Sequence, residues 1–393
     1  MIRTSERLSR LPAYAVAELA AIKRRLLAEG RDVIDLGAGD ADSPPPESAQ
    51  RALAEAVADP AMSRYAYQVG LREFREAATR YLGRRFGAEF DPTDEVLPLL
   101  GSKEGLAHLP LAFVNPGEVC VLPDPGYPAY LGGTLLADAE PLLVPLRAER
   151  NFLIELEDLP PAQLERVRLV FLNYPNNPTT AVAPRDYLER TVRLCRERGI
   201  LIAYDNPYVE LTFDGYRAPS IFEIDGAREC AIEFHSVSKT FSMTGWRLAW
   251  AAAARDLLAP LQRLKTWTDT GVFLAIQKAG AAVLDRAEEL AAPLVAELER
   301  RRDTTLEVLA GVGLSATRPR ATMYVWVRLP EGITAQAFGR TLLEREAVVV
   351  LPGTGFGSGG EGYFRIALTV QTPRLREAVE RIGRVVHDSA VSG

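Results

Sequence analysis

A lysine at position 239 lies in a setting that suits covalent chemistry with an aldehyde. Lys239 stands between Ser238 and Thr240, directly after a strand-like apolar run at 231–235, and Arg247 follows shortly after it. Formation of an imine requires an unprotonated amine, and burial together with a nearby cation lowers the pKa of a lysine. Most lysines are solvated surface residues, so this position gains weight only if other segments supply the partners that such chemistry needs.

Two further segments carry side chains that could hold a heteroaromatic ring. Asp205 follows the strand-like run 200–204, and Tyr208 comes just after it. A carboxylate in this place can keep a pyridine nitrogen protonated, which makes the ring an electron sink. Asn177 lies in the segment Asn-Tyr-Pro-Asn-Asn-Pro-Thr-Thr at 173–180, where its amide could bind a phenolic oxygen. Both segments also contain common turn sequences, so neither decides the function alone.

Two loops after other strands could bind the rest of such a cofactor. A glycine turn leads from the run 96–100 into Ser102 and Lys103 at the start of a helix. The N-terminus of a helix presents free N–H groups and a favourable dipole to a phosphate. Tyr127, after the run 119–122, could stack on a flat ring. Serine-capped helices and rim tyrosines are common, so these signals count only in combination.

The order of elements along the chain predicts an α/β fold that brings these loops together. The predicted strands are 96–100, 119–122, 169–173, 200–204, 231–235 and 248–253. They alternate with helical stretches at 72–86, 103–114 and 185–199, which favours a mostly parallel sheet covered on both faces. Ligands of such sheets bind at the carboxyl ends of the strands, where the candidate residues lie.

The two ends of the chain predict a second, smaller α+β lobe. Periodic apolar residues indicate helices on either side of the sheet region, and short apolar runs near the C-terminus indicate further strands. We expect a large domain at 45–275 and a small domain that combines 1–44 with 276–393. The predicted elements of the small domain are a helix at 13–29, a strand at 33–36, a helical region reaching 310, strands at 323–328, 347–351 and 363–368, and a helix at 374–387.

The composition argues against several classes of function. The 393-residue chain has a net charge of -6 and a pI of about 5.5, which disfavours a protein that coats nucleic acid or an anionic membrane. Its three cysteines and three histidines are few and scattered, so we expect neither a disulfide framework nor a metal site, and we expect a cytoplasmic protein. We also expect no membrane span and no secretory signal, because no long apolar run is present.

The combined motifs resemble those of the class I and II aminotransferases, which use pyridoxal 5'-phosphate (PLP) and share the aspartate aminotransferase fold, called fold type I. The segments Ser236-Val-Ser-Lys239 with Arg247, and Asn176-Asn-Pro-Thr179, are specific to that family. The motifs occur in the family's order over nearly the whole chain. The resemblance implies an amino acid and a 2-oxo acid as substrates in a ping-pong exchange. It also implies a homodimer with active sites at the subunit interface.

The resemblance further implies a role for each residue of the site. Lys239 would carry the cofactor as an imine and shuttle a proton, and Asp205 would pair with the pyridine nitrogen. Arg365 would clamp the substrate carboxylate bidentately, close to Gly39, and Asn177 would also contact the substrate. At the cofactor ring, the resemblance implies contacts of Tyr208 and Asn177 with the phenolic oxygen and of Tyr127 with the ring face. At the phosphate, it implies contacts of Ser102, Lys103, Ser236 and Arg247 from the same subunit. Tyr65 of the partner subunit would also contact the phosphate.

The sequence departs from the family pattern at three places. Thr180 replaces the usual glycine and would be strained if its backbone needs a positive φ. The loop 39–42 reads Gly-Asp-Ala-Asp instead of Gly-Asp-Pro-Asp, and Trp267 stands where an asparagine is often found. This loop and Trp267 could alter the substrate pocket. The resemblance also implies a cis peptide bond before Pro178, which is uncommon among X–Pro bonds.

In detail, the motifs look most like those of the bacterial LL-diaminopimelate aminotransferases, above all at 101–117 and 124–128. This favours LL-diaminopimelate as donor and 2-oxoglutarate as acceptor. Aspartate, alanine, methionine, aromatic amino acids and N-succinyl-diaminopimelate stay open, because specificity rests on a few loop residues. A C–S lyase, decarboxylase or cyclopropane-forming synthase of the same fold could use the same lysine. A DNA-binding regulator is disfavoured, because the resemblance starts within the first dozen residues and leaves no room for a recognition helix.

Overall fold

A seven-stranded sheet forms the centre of the fold. The computed structural model describes residues 3–12, 17–67 and 69–391. From one edge to the other, the strands are Val96–Leu99, Ala249–Ala252, Ala231–Ser236, Leu201–Asp205, Val167–Leu172, Val119–Asp124 and Glu140–Pro145. All neighbours pair in parallel except Ala249–Ala252, which runs antiparallel to both of its neighbours. The predicted mostly parallel α/β sheet is therefore confirmed.

The central strands are apolar throughout because both faces of the sheet are covered. In the strand Leu201–Asp205, alternate side chains enter two different apolar clusters, as the period of two in a strand requires. One cluster includes side chains of the helix Arg185–Arg198, and the other includes side chains of the helix Ser102–Phe113. This double cover explains why these strands appear as continuous apolar runs in the sequence.

A second, four-stranded antiparallel sheet lies in the C-terminal part of the chain. The N-terminal segment joins this part, because the strand Ile34–Asp35 pairs in parallel with Val348–Val349 and the helix Ala17–Ala28 contacts Ala335–Glu346. The predicted domain boundaries stay a prediction; the one at residue 275 falls inside the helix Leu274–Leu284. In spatial order, the strands of the small sheet are Leu351–Pro352, Tyr363–Ala367, Tyr324–Arg328 and Ser315–Ala316.

The α-helices connect and cover these sheets. The helical region predicted up to 310 contains two helices, which Asp285 and Arg286 separate. The apolar pattern does not predict the edge strand Glu140–Pro145, because its side chains are exposed or half-exposed and form no fully buried run. The α-helices are Glu6–Ser9, Ala17–Ala28, Glu47–Val57, Arg72–Phe86, Ser102–Phe113, Pro128–Leu136, Pro161–Leu164, Arg185–Arg198, Val237–Thr240, Arg255–Thr268, Leu274–Leu284, Ala287–Gly311, Ala335–Glu346 and Thr372–Val391.

In the described part of the chain, no helix combines the length and the apolar character that are needed to cross a membrane. Within the same residues, no group of three or more histidine, cysteine, aspartate or glutamate side chains is arranged to hold a metal ion.

Candidate active site

A cavity of about 810 Å³ lies where the central strands of the large sheet end. Its wall also includes residues of the N-terminal segment and of the C-terminal lobe. Eleven of the twelve predicted site residues line it, so the fold assembles residues that are far apart in the sequence. They are Gly39, Ser102, Lys103, Tyr127, Asn177, Asp205, Tyr208, Ser236, Lys239, Arg247 and Arg365.

Lys239 reaches this cavity from the short helix Val237–Thr240, which begins directly after a strand of the large sheet. The Ser236 hydroxyl caps the helix by accepting a hydrogen bond from the N–H of Ser238 at 3.1 Å. The Lys239 ammonium donates a hydrogen bond to the carbonyl oxygen of Gly39. The amine is therefore held at the cavity wall, where it can meet an aldehyde.

Asp205 presents a buried carboxylate with one free oxygen. The residue is 4% exposed, and its Oδ2 accepts a hydrogen bond from the Tyr130 hydroxyl at 2.6 Å. Its Oδ1 has no hydrogen-bond partner among the described residues. Burial raises the pKa of Asp205 to about 7, against the opposing effects of Tyr130 and His235. A protonated pyridine ring would supply both the missing donor and the opposite charge, so this site fits the ring of PLP.

The raised pKa of Asp205 makes a prediction for the protein without cofactor. Between the ordinary value of 3.8 and the folded value of about 7, the folded chain keeps a proton that the unfolded chain has lost. The free energy of unfolding therefore falls as the pH rises through this window. Asp205→Asn removes this titration, so we expect its stability relative to the wild type to increase as the pH rises from 3.8 to about 7 and to stay higher above that. Urea unfolding of the two apoproteins measures this gain; its absence would contradict the burial argument.

A second part of the cavity is built to bind an anion. Gly101 has a φ of +80°, and the helix Ser102–Phe113 begins after it, so the first N–H groups of this helix lack intrahelical partners. The Arg247 guanidinium packs so closely against Gly101 that a Cβ there would overlap it. Arg247 also donates a hydrogen bond to the carbonyl oxygen of Thr244 at 2.7 Å. Helix N–H groups and a guanidinium together fit a phosphate.

Arg365 is a buried cation on the strand Tyr363–Ala367 of the small sheet. Its Nη1 donates to Oδ1 of Asn177 at 2.6 Å, and its Nη2 donates to the carbonyl oxygen of Gly37 at 2.7 Å. Its Nε has no partner among the described residues. Because a planar guanidinium matches a carboxylate bidentately, a carboxylate-binding group lies in the same cavity as Lys239.

A loop at the carboxyl end of the strand next to Asp205 brings Asn177 into the cavity. The Asn173 amide nitrogen donates to the carbonyl oxygen of Asp205 at 2.7 Å, and its Oδ1 accepts from the N–H of Asn177 at 2.8 Å. The expected cis peptide bond between Asn177 and Pro178 is present. Thr180 has a φ of +64°, so the turn keeps a left-handed backbone, which is strained for a β-branched residue.

Comparison with known proteins identifies the family that shares this arrangement. The family model described as aminotransferase class I and II matches residues 31–382. The chain belongs to the class I and II aminotransferases. It is therefore a PLP-dependent aminotransferase of fold type I, as its motifs implied.

Individual relatives cover almost the whole aminotransferase. An LL-diaminopimelate aminotransferase of Desulforudis audaxviator is 47% identical over 378 residues, which make up 96% of each chain. Substrate-bound BacF from Bacillus subtilis has a TM-score of 0.94 at 32% identity, with 98% of each chain covered. A probable N-succinyldiaminopimelate aminotransferase from Thermus thermophilus has a TM-score of 0.90 at 38% identity, covering 94% of this chain and 100% of that one. These similarities confirm the fold over nearly the full length of the chain.

Among the cavity residues that the sequence does not predict, Tyr130, Asn173 and Tyr324 form hydrogen bonds with predicted site residues of the aminotransferase. Tyr130 did carry a signal, because it follows Tyr127 by three positions at the start of a helix, where side chains three apart are neighbours. Asn173 lies at the end of the predicted strand 169–173 and at the start of the segment 173–180, but the sequence assigns the contact with the phenolic oxygen to Asn177. Tyr324 had no local signal, because it enters the cavity from the small sheet and its neighbours in sequence are ordinary strand residues.

Two features predicted from the sequence lie outside the cavity of the single chain. Tyr65 is 70% exposed and does not line the cavity, so no contact with the phosphate site arises within one subunit. Trp267 is 84% exposed, so it does not alter the pocket of its own chain. Gly39, in the altered 39–42 loop, does line the cavity.

Proposed function

We propose that this aminotransferase moves an amino group from LL-diaminopimelate to a 2-oxo acid such as 2-oxoglutarate in a ping-pong exchange. The observation that carries the proposal is a single buried Arg365 in the same cavity as Lys239. An amino acid and a 2-oxo acid both have a carboxylate next to the reacting carbon, so one clamp can orient each of them in turn. The name of the relative that is 47% identical supports LL-diaminopimelate as the donor.

Each proposed step follows from the position of a side chain. Arg365 binds the α-carboxylate and thereby fixes Cα of the substrate near Lys239. The Lys239 amine would take the proton from Cα and deliver it to C4′ of the cofactor, and it would move a proton in the opposite direction in the second half of the exchange. Asp205 keeps the ring nitrogen protonated, while Tyr208 and Asn177 hold the phenolic oxygen. When bound, PLP supplies the electron sink for the electron pair left at Cα.

The charges around the cavity support a substrate with charged groups at both ends. Besides the residues already assigned, Lys23 and Asp35 line the cavity and form a half-exposed ion pair. A diamino diacid carries a second ammonium and a second carboxylate at its far end, and these groups can pair with side chains of either sign. Exposed ion pairs are weak, typically worth about 0–1 kcal/mol, so the substrate can compete for both partners.

The visible absorption spectrum of the holoenzyme tests the proposal. We expect the yellow band of the lysine-bound cofactor to bleach when LL-diaminopimelate is added and to return with 2-oxoglutarate. A band that ignores LL-diaminopimelate but responds to aspartate or N-succinyl-diaminopimelate would assign another donor. Release of ammonia without formation of glutamate would instead indicate a lyase.

We also propose that the enzyme is a homodimer in which Tyr65 reaches the cavity of the partner. The carbonyl oxygen of Tyr67 packs against Gly271, so the segments around these two residues lie side by side. The exposed aromatic side chains that these two segments carry supply apolar surface of the kind that marks an interface. These side chains are Tyr65 (70% exposed), Tyr67 (62%), Trp267 (84%) and Phe273 (43%).

Hybrid dimers of Tyr65→Ala and Lys239→Ala subunits test this arrangement. If Tyr65 serves the partner's site, one of the two sites in each hybrid contains both residues, and activity returns on mixing. If Tyr65 serves its own chain, every site in the hybrid lacks one of the two residues, and mixing restores nothing.

A further inference from the structure

Tyr324 lies between the residues proposed to hold the substrate and those proposed to hold the cofactor. It is 2% exposed, lines the cavity, and belongs to the strand Tyr324–Arg328. On the neighbouring antiparallel strand, Arg365 stands opposite Trp326. Tyr324 is two positions from Trp326, so it lies diagonally across from Arg365 on the same face of the small sheet.

The ring of Tyr324 covers the guanidinium of Arg365. The Arg365 Cζ lies 3.9 Å from the centroid of this ring and 4.8 Å from the centroid of the Phe356 ring. Such cation–π contacts attract the guanidinium to the ring. Because Asn177 and Gly37 accept hydrogen bonds from its two terminal nitrogens, the ring completes the set of contacts that fix the guanidinium.

The hydroxyl of Tyr324 contacts a different part of the site. It lies 3.3 Å from the hydroxyl of Tyr208, and the two rings meet edge to face at 5.7 Å. It also packs against Gly39, where an added Cβ would overlap it. A side chain at position 39 would therefore displace this hydroxyl.

The charges around Tyr324 favour it as the donor in the hydrogen bond between the two phenols. Burial acts to raise the pKa of Tyr324, but Arg365 and Lys239 lower it below its ordinary value. Burial and the neighbouring Tyr324 raise the pKa of Tyr208. Either hydroxyl can donate in this pair. Because the two cations make Tyr324 the more acidic phenol, they favour donation by Tyr324, which leaves the proton of Tyr208 for another acceptor.

We propose that Tyr324 is a positioning residue with two separable functions in this aminotransferase. Its ring fixes Arg365 for the α-carboxylate, and its hydroxyl holds Tyr208 so that Tyr208 donates to the phenolic oxygen of the cofactor. The inference rests on the roles proposed above for Arg365 and Tyr208. Hydrogen bonds in a chain polarise one another, so Tyr324 strengthens the contact that Tyr208 makes.

Two substitutions separate these functions. Tyr324→Phe keeps the ring and removes the hydroxyl, whereas Tyr324→Leu removes both. Tyr187→Phe is the matched control, because Tyr187 is also buried and its hydroxyl donates to the carbonyl oxygen of Ile154 at 2.8 Å, in the core of the large domain. All are measured as holoenzymes, after melting temperatures have shown that they fold.

The first readout is the pKa of the cofactor-bound lysine, taken from the pH dependence of the yellow band. A hydrogen bond from Tyr208 stabilises the phenolic oxygen more when this oxygen carries a full negative charge, which is the case when the imine nitrogen is not protonated. Weakening that contact favours the protonated imine nitrogen, so Tyr324→Phe is expected to raise this pKa by roughly half a unit to one unit. Tyr187→Phe is expected to leave it unchanged.

The second readout is the KM for the amino acid that the wild type accepts. Tyr324→Phe is expected to keep KM within about twofold, because the ring over Arg365 remains. Tyr324→Leu is expected to raise KM by about 3- to 30-fold, the effect of losing one cation–π contact. This difference between the two variants is the signature of the proposed ring function.

Each result decides one part of the proposal. An unchanged spectral pKa in Tyr324→Phe refutes the function of the hydroxyl, and an unchanged KM in Tyr324→Leu refutes the function of the ring. If Tyr187→Phe changes the spectral pKa and KM as much as the Tyr324 variants do, the changes reflect a general loss of packing, and the positioning role of Tyr324 is rejected. The spectral titration needs no substrate, so it tests Tyr324 even if LL-diaminopimelate is not the donor. Whether LL-diaminopimelate is the donor is decided separately, by the response of the wild-type spectrum to it.

Discussion

Lys239→Ala is expected to lose the yellow band of the bound cofactor and to lower the rate of amino transfer by about 10⁴-fold or more. The covalent link to PLP and the proton transfer at Cα are both proposed to depend on this one amine. In the structure, the ammonium donates to the carbonyl oxygen of Gly39, which is a single neutral contact. Its loss is therefore expected to affect the chemistry far more than the fold.

Two control variants test whether the loss of the band is due to the amine of Lys239, to its positive charge or to the removal of any lysine from the cavity. Lys239→Arg keeps a cation that can reach Gly39 but cannot form the imine, so it is expected to lose the band as well. Lys103→Ala removes another lysine of the same cavity and is expected to keep the band, because the proposed phosphate contact of Lys103 uses its backbone N–H. If the band survives in Lys239→Ala and disappears in Lys103→Ala, Lys103 carries the cofactor and the assignment of Lys239 is wrong.

The strands of the large domain could be predicted because their burial on both faces leaves a simple pattern. In the strand Val167–Leu172, five of the six residues are buried. Side chains on both faces of the sheet are therefore apolar, and the sequence shows a short apolar run. The loops after such strands must meet at one edge of the sheet. This geometric constraint is why Asp205, Asn177, Ser102 and Lys239 could be assigned to one site before any distance was known.

The residues that the sequence did not reveal belong to contacts between distant elements. Tyr324 contacts Arg365 across two neighbouring strands of the small sheet, and it reaches Tyr208 only because this sheet lies close to the strand ends of the large one. Nothing within its own strand marks it, since a tyrosine there has the same β propensity whether or not it lines a cavity. Trp267 shows the opposite case, because the sequence marks it as a departure that could alter the pocket, whereas its side chain is 84% exposed and does not line the cavity.

Asp205→Asn is expected to lower kcat/KM for the amino donor by about 10²- to 10³-fold, the range for removing one preorganised electrostatic contact. Asparagine has nearly the same shape and can still accept the hydrogen bond from Tyr130, but it carries no charge to keep the ring nitrogen protonated. Tyr130→Phe is the matched control, because it removes one hydrogen bond from the carboxylate and leaves its charge. We expect only about a 2- to 13-fold loss for that variant.

The direction in which Asp205→Asn changes the free energy of unfolding shows whether the loss of activity comes from the missing charge or from a disrupted fold. Without cofactor, Asp205 has a buried oxygen with no partner in the described chain and a pKa raised to about 7, so its charge opposes folding at alkaline pH. Asp205→Asn should then stabilise the apoprotein at about pH 8 while it inactivates the holoenzyme, as expected for a residue kept for function at the expense of stability. An asparagine variant that loses both stability and activity would mean that Asp205 maintains the fold, whereas one that keeps full activity would mean that the ring nitrogen is paired elsewhere.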